Sequence, residues 1–225
     1  MNGQSVALIW LVVTLGAYLL ARLLHARRPS VWLMPVFVVP IFLIVVLLFL
    51  RIPFAVYNQD SRWLLWLLGP ATIAFALPIY QQRAVIRRYP ISISAGVLSS
   101  IGLGLGSSWL LSRLFELSPE LTRCMLLRSI STPFALQAAG VIGASQGLTS
   151  LVVLLTGVCG ILLGEAVLLW IAPQSRLARG AMWGAAAHAI GTARAHQFHP
   201  EEGAISSLVM VFAGVSLVML APWFG

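Results

Sequence analysis

Apolar runs of membrane-crossing length, separated by short polar punctuation, make up most of this chain. Runs at residues 6–24, 31–50, 63–80, 91–114 and 149–171 each approach the roughly 20 residues that a helix needs to cross a bilayer core. The stretch 179–222 holds two more, and they differ from the others. They carry His188, Thr192, Arg194, His196, Ser206 and Ser207, with Glu201 and Glu202 between them. A charged group at membrane depth costs about 2.5–3.5 kcal/mol even on lenient insertion scales, so these residues are expected to face protein or water.

The punctuation is informative in itself. Arg22, His25, Arg27 and Arg28 follow the first apolar run, whereas a secretory signal carries its positive charge before the core. The first run therefore reads as a retained helix with its N-terminus outside. Residues 51–62 read as a polar loop, and Gly69-Pro70 and Pro78 break the run at 63–80 in two places. Residues 121–144 are interrupted by Arg128, Ser129, Ser131, Thr132-Pro133 and Gln137. A re-entrant or discontinuous helix suits that pattern better than a plain span. With it, Arg83–Arg88 and Arg176–Arg179 fall in the cytoplasm as the positive-inside rule asks, and Asp60 and Glu201 fall on the other side.

Composition narrows the class further. Of 225 residues, 60% are hydrophobic and 9% charged, which is far too apolar for a water-soluble domain. The expectation is an all-α polytopic membrane protein with about seven transmembrane helices plus one re-entrant or discontinuous segment. The net charge of +8 comes entirely from arginine on the basic side. These arginines cluster at the ends of apolar runs, where they set topology and meet anionic headgroups. Nucleic acid is therefore not an expected partner. Cys124 and Cys159 lack CxxC or histidine-rich company, so they read as structural thiols, with no metal site.

One domain, residues 1–225, is expected, with an internal inverted repeat. Gly69-Pro70-Ala71 overlies Gly184-Ala185-Ala186 at an offset of 115, and residues 31–115 then correspond approximately to 147–222. Residues 1–30 become an extra N-terminal helix and 121–144 a broken connection. Inverted repeats with broken helices meeting at the midplane are the architecture of many secondary transporters.

WLLGPATIAFALPIY, SISTPFALQAAGVIGA and RGAMWGAAAHAIGTARAHQFHPEEGAISSL resemble the signature runs of the LrgB/CidB family, also called antiholin-like or YohK-type proteins. The resemblance implies a bacterial inner-membrane protein paired with a small LrgA/CidA-type membrane protein and linked to murein hydrolase control and lysis. Plant relatives are plastid glycolate/glycerate translocators and some bacterial members are connected with pyruvate. Small hydroxy- or keto-acid anions are the implied substrates.

The chemistry can be argued from the residues as well. Broken helix N-termini offer N–H groups that replace a carboxylate's hydration without burying a fixed charge. Gly69-Pro70, beside Thr72, and Thr132-Pro133 are the two places for them; kinked spans are the plainer reading. On a continuous helix Gly184, His188, Gly191, Thr192 and Ala195 share one face, making His188 and Thr192 a candidate site wall and His188 a candidate proton carrier. Arg194 lies on another face, as an anion ligand or as a partner of Glu201 or Glu202. Ser206 and Ser207 bond either substrate or helix carbonyls. Glu165 is either a proton-carrying group or the partner of an Arg or His on another helix. Three functions follow: a transporter of pyruvate-, glycolate-, glycerate- or lactate-type anions with proton coupling through His188 or Glu165; an antiholin-like regulator acting with its small partner; and a hydrolase using Ser206 or Ser207, which no nucleophile motif supports. The chain is thus read as a non-enzyme without cofactor, with the bilayer, the small membrane protein and further copies of itself as partners.

Overall fold

The computed structural model describes residues 3–28, 30–61, 63–74, 76–171 and 173–224, with the side chains at 3–7, 31, 60, 61, 65, 68, 71 and 72 outside the described set. Among the described residues every regular element is helical. The chain divides into two compact units, Met1–Pro70 and Ala71–Gly225.

In the first unit α1 (Gly3–Arg27) packs on α2 (Pro35–Phe49) and α3 (Phe54–Ser61). Ala21, Val39 and Leu43 form its buried contact, flanked by Val13, Ala17, Val38 and Tyr57. Residues 54–61, expected as loop, are therefore helical. The cause is α1: Tyr57 sets its ring edge-on to Trp10, at 6.4 Å between centroids, and its hydroxyl lies 3.3 Å from Thr14 Oγ1. After α4 (Trp63–Trp66), α5 (Leu68–Ala74) runs across the boundary between the units.

The second unit contains α6 (Ala76–Gln81), α7 (Arg83–Arg88), α8 (Pro90–Leu114), α9 (Pro119–Leu126), α10 (Thr132–Ile142), α11 (Gln146–Ile171), α12 (Arg176–Phe198) and α13 (Pro200–Leu220). Among the described residues proline stands in the first turn of five α-helices, at Pro35, Pro90, Pro119, Pro133 and Pro200. Its missing N–H was unpaired in the first turn anyway, and its fixed φ suits the helix start. Gly143 ends α10 in the left-handed conformation, φ 64°, which glycine adopts without strain.

The central element is α13, buried from Glu202 through Val211, with α8, α10 and α12 packed around it. Among the described residues four helices are long and apolar enough to cross a membrane: Leu8–Arg27, Pro90–Leu114, Gln146–Ile171 and Pro200–Trp223. The other apolar runs form shorter or interrupted helices. The run at 63–80 is divided among α4, α5 and α6, α2 has only 15 residues, and α12 does not run straight.

Candidate functional site: two chain reversals and a cleft

The break expected within 121–144 lies at residues 127–131, between α9 and α10. Here the chain doubles back. Cys124 Sγ reaches the carbonyl of Ser145 at 3.7 Å, although 21 residues of continuous helix would separate them by about 31 Å. Cys124, Leu127, Ile130, Phe134 and Ala138 consequently share one buried cluster with Met210 and Leu217 of α13.

A second reversal was not expected. Inside α12, His188 has φ 49° and ψ −129°, a conformation that costs a non-glycine residue about 1–3 kcal/mol. The limbs on either side, 176–187 and 189–198, lie against each other. Trp183 stacks on Phe198 at 6.3 Å and 17° between ring planes, and a Cβ on Gly191 would overlap the Trp183 carbonyl. The continuous face drawn through Gly184, His188, Gly191, Thr192 and Ala195 is therefore wrong: His188 ends one limb, and Gly191, Thr192 and Ala195 belong to the other.

The reversal also corrects the predicted topology of charges. Arg179 donates through Nε and Nη2 to Glu202 Oε1 at 2.9 and 2.6 Å, and Arg176 lies 3.6 Å from Glu201. The basic pair Arg176/Arg179 and the acids Glu201/Glu202 sit side by side, not on opposite sides of a membrane. A straight 23-residue α12 would have held them about 34 Å apart; the two limbs bring them together.

The two reversals approach α13 from opposite directions and meet tip to tip. The α12 limbs lie along its first half, with Gly180 beside Glu202 and Thr192 Oγ1 2.9 Å from Ser206 Oγ, whereas α10 lies along its second half, with Phe134 against Gly214. At the meeting point His188 Nε2–H donates to the carbonyl of Arg128 at 3.1 Å.

Beside this junction a cleft of about 960 Å³ opens between α8, α11 and the first limb of α12. Arg128 and Ser129 of the 127–131 break line it, together with Ser99, Ser107, Thr156 and Cys159. The break reaches the cleft because α8 has glycine opposite it: a Cβ on Gly104 would lie 2.5 Å from that of Ser129. Arg128 donates from Nε to Ser108 Oγ at 3.0 Å and from Nη2 to Ser107 Oγ at 2.7 Å. Both hydroxyls are free to accept because their protons go to helix carbonyls, those of Met125 and Leu103.

The residues singled out from sequence are only partly brought together. His188 is 4% exposed and does not line the cleft, although it holds the backbone of a residue that does. Thr192 and Ser206 bond each other, and Ser207 donates to the carbonyl of Gly203 at 2.9 Å, so this hydroxyl cluster is internal. Thr132 and Pro133 start α10 as expected, but neither lines the cleft. Arg194 pairs with Glu165 at 2.7 Å, donates to Gln197 and lies over the Phe198 ring; it does not pair with Glu201 or Glu202, because its limb faces α11 at this level. Glu165 is thus the partner of an arginine on another helix. Gly69 and Pro70 belong to the first unit and to a seven-residue helix that begins at Leu68, and the side chain of Thr72 lies outside the described residues. Sequence reasoning passed over Arg128. The signal was its place in LLRSISTP, a lone cation between apolar residues and a Thr-Pro helix start.

Long apolar helices around a core that contains two mutually contacting chain reversals define a polytopic helical membrane protein with interrupted helices. The chain belongs to the LrgB-like family, whose model matches residues 14–225. Among its relatives are YxaC of Bacillus subtilis, 31% identical over 225 residues, which is 100% of this chain and 96% of the relative. The holin-like protein CidB of Staphylococcus aureus is 29% identical over 222 residues, 99% of this chain and 97% of the relative. No solved structure matches the chain.

Proposed function

We propose that this protein carries a small organic anion, of the pyruvate, glycolate, glycerate or lactate type, across the bacterial inner membrane by way of the cleft. The observation that supports this reading is the contact between the two reversals at Arg128 and His188 beside a cleft of about 960 Å³. Irregular backbone at membrane depth is tolerated only where protein or a water-filled cavity surrounds it. Interrupted helices that meet from opposite directions also form the binding region of many secondary transporters. In this reading the limbs of both reversals are re-entrant, and an inverted repeat relates residues 31–115 to 147–222. The reading has the N-terminus outside, supported by the arginines that follow the first apolar run.

The names of the relatives favour a second reading more directly than they favour transport. CidB is called holin-like, which speaks for a membrane component that works with a small LrgA/CidA-type partner in controlling murein hydrolase release and lysis. The two readings separate in proteoliposomes made with and without that partner. Transport predicts saturable uptake of labelled pyruvate, glycolate or lactate while a trapped dye stays inside; a holin-like role predicts dye leakage or no flux at all. Uptake of none of the three acids under either condition would sink the transport reading.

A further inference from the structure

We propose that Arg128 is the anion-binding side chain of the cleft, taking a carboxylate, and that His188 is the positioning residue that holds it there; this deepens the transport reading and rests on it. Arg128 is the one charged residue among the described residues that line the cleft. Arg176, Arg179 and Arg194 each have a carboxylate within 3.6 Å, whereas Arg128 has no ion pair among the described residues. An unpaired cation at this depth calls for a counter-charge, and an anionic ligand supplies it.

The side chain is held for that task. Ser108 fixes Nε and Ser107 fixes Nη2 from the α8 side, and Nη1 makes no hydrogen bond among the described residues. A guanidinium anchored on one edge keeps its remaining N–H groups in a rigid plane, which suits a carboxylate better than a flexible ammonium does. The backbone is held independently. Arg128 sits in the break with its N–H on the Met125 carbonyl, and the imidazole of His188 closes its own carbonyl from the opposite reversal. The left-handed conformation of residue 188 brings the ring to that carbonyl. Glycine would take the same turn with less strain and without the bond.

Cys159 provides a reading of occupancy that does not depend on transport. It is exposed and lines the cleft, whereas Cys124 is buried. Purified full-length protein is labelled with N-ethylmaleimide in rising pyruvate, glycolate or lactate, and uptake of the same acid into proteoliposomes is followed in parallel. Pyruvate is expected to slow labelling of the wild type. Arg128→Gln should raise the protecting concentration about ten- to a hundredfold, the range for losing a charge-assisted hydrogen bond, and Arg128→Lys should fall between. His188→Gly should raise it about tenfold while the protein stays monodisperse with an undiminished thermal midpoint. His188→Gln, whose amide Nε2 can donate to the same carbonyl, should restore it to within about twofold. Protection of Arg128→Gln at the wild-type concentration would overturn the anion site. Wild-type protection in folded His188→Gly, or a His188→Gln protein as weak as His188→Gly, would overturn the positioning role. Protection of the wild type that is indifferent to both residues, or no protection while uptake persists, removes this assignment and leaves transport standing; neither protection nor uptake with any of the three acids removes both.

Discussion

The two reversals solve one geometrical problem in different ways. Between α9 and α10 the chain uses five residues, 127–131, and returns to a helix through Ser131 at φ −64° and ψ 144°, a conformation open to any residue. Within α12 it uses a single residue at φ 49°. The first turn is loose in backbone terms and puts a charge into the cleft; the second is strained and points its ring into the protein. The limbs of the strained turn are accordingly clamped, by Arg179–Glu202 at the open end and by Arg194–Glu165 along the side. No ion pair among the described residues joins α9 to α10. Where backbone strain is stored, surrounding contacts have to over-determine it.

That contrast can be broken most severely at its clamp. Arg179→Ala would leave the carboxylate of Glu202, 2% exposed and with Oε2 already unpaired, without compensation. Removing one partner of a buried pair typically costs about 3–5 kcal/mol, so loss of monodisperse protein on size-exclusion chromatography is expected; an unchanged thermal midpoint would show the clamp to be idle. Gly104→Val should come next. It forces the 127–131 break off α8 at an overpacking cost of about 1–3 kcal/mol, and Cys159 should then lose its protection by pyruvate. At residue 188 a smaller difference sharpens the comparison: alanine retains the strained φ and glycine relieves it, so His188→Ala should be less stable than His188→Gly by about 1 kcal/mol. Equal midpoints for the two would mean that the turn relaxes in solution. The mildest change is Glu165→Gln. Both partners are partly exposed, at 37% and 27%, and Arg194 retains Gln197 and Phe198, so a shift below about 1 kcal/mol is expected. Collapse of the protein would place that pair among the buried ones.

Much of this architecture could be read from sequence because run length and proline position carry it. The runs at 91–114 and 149–171 became α8 and α11 within a few residues, and Thr132-Pro133 marked the start of α10. The reversal at His188 could not be read in that way. The stretch MWGAAAHAIGTA is helix-compatible throughout, and the residue that turns is neither glycine nor proline. Its conformation is imposed by tertiary contacts: the close approach of Gly191 to Trp183 and the bond to Arg128. The error then spread to the charges, since a straight α12 puts Arg176 and Glu201 at opposite ends. Arg128 was missed for a related reason. An arginine near a helix end usually serves topology or reaches for headgroups, and only the fold of α9 and α10 shows that this one points at a cleft.

The half-length limbs of α12 also say something about the order in which the molecule is built. Residues 176–187 and 189–198 reach only about 18 and 15 Å, half of what a span requires, so neither limb can enter a bilayer as an independent insertion unit. They need a docking surface, and α11, made just before them, carries it. Gly160 leaves room for the carbonyl of Ala186, and Gly164 for the indole of Trp183. The α12 limbs can therefore lodge against α11 as they leave the ribosome, and the arrival of α13 with Glu202 then closes the Arg179 clasp. A bulky residue at Gly160 is then expected to show itself first as failed biogenesis, seen as loss of membrane-inserted protein.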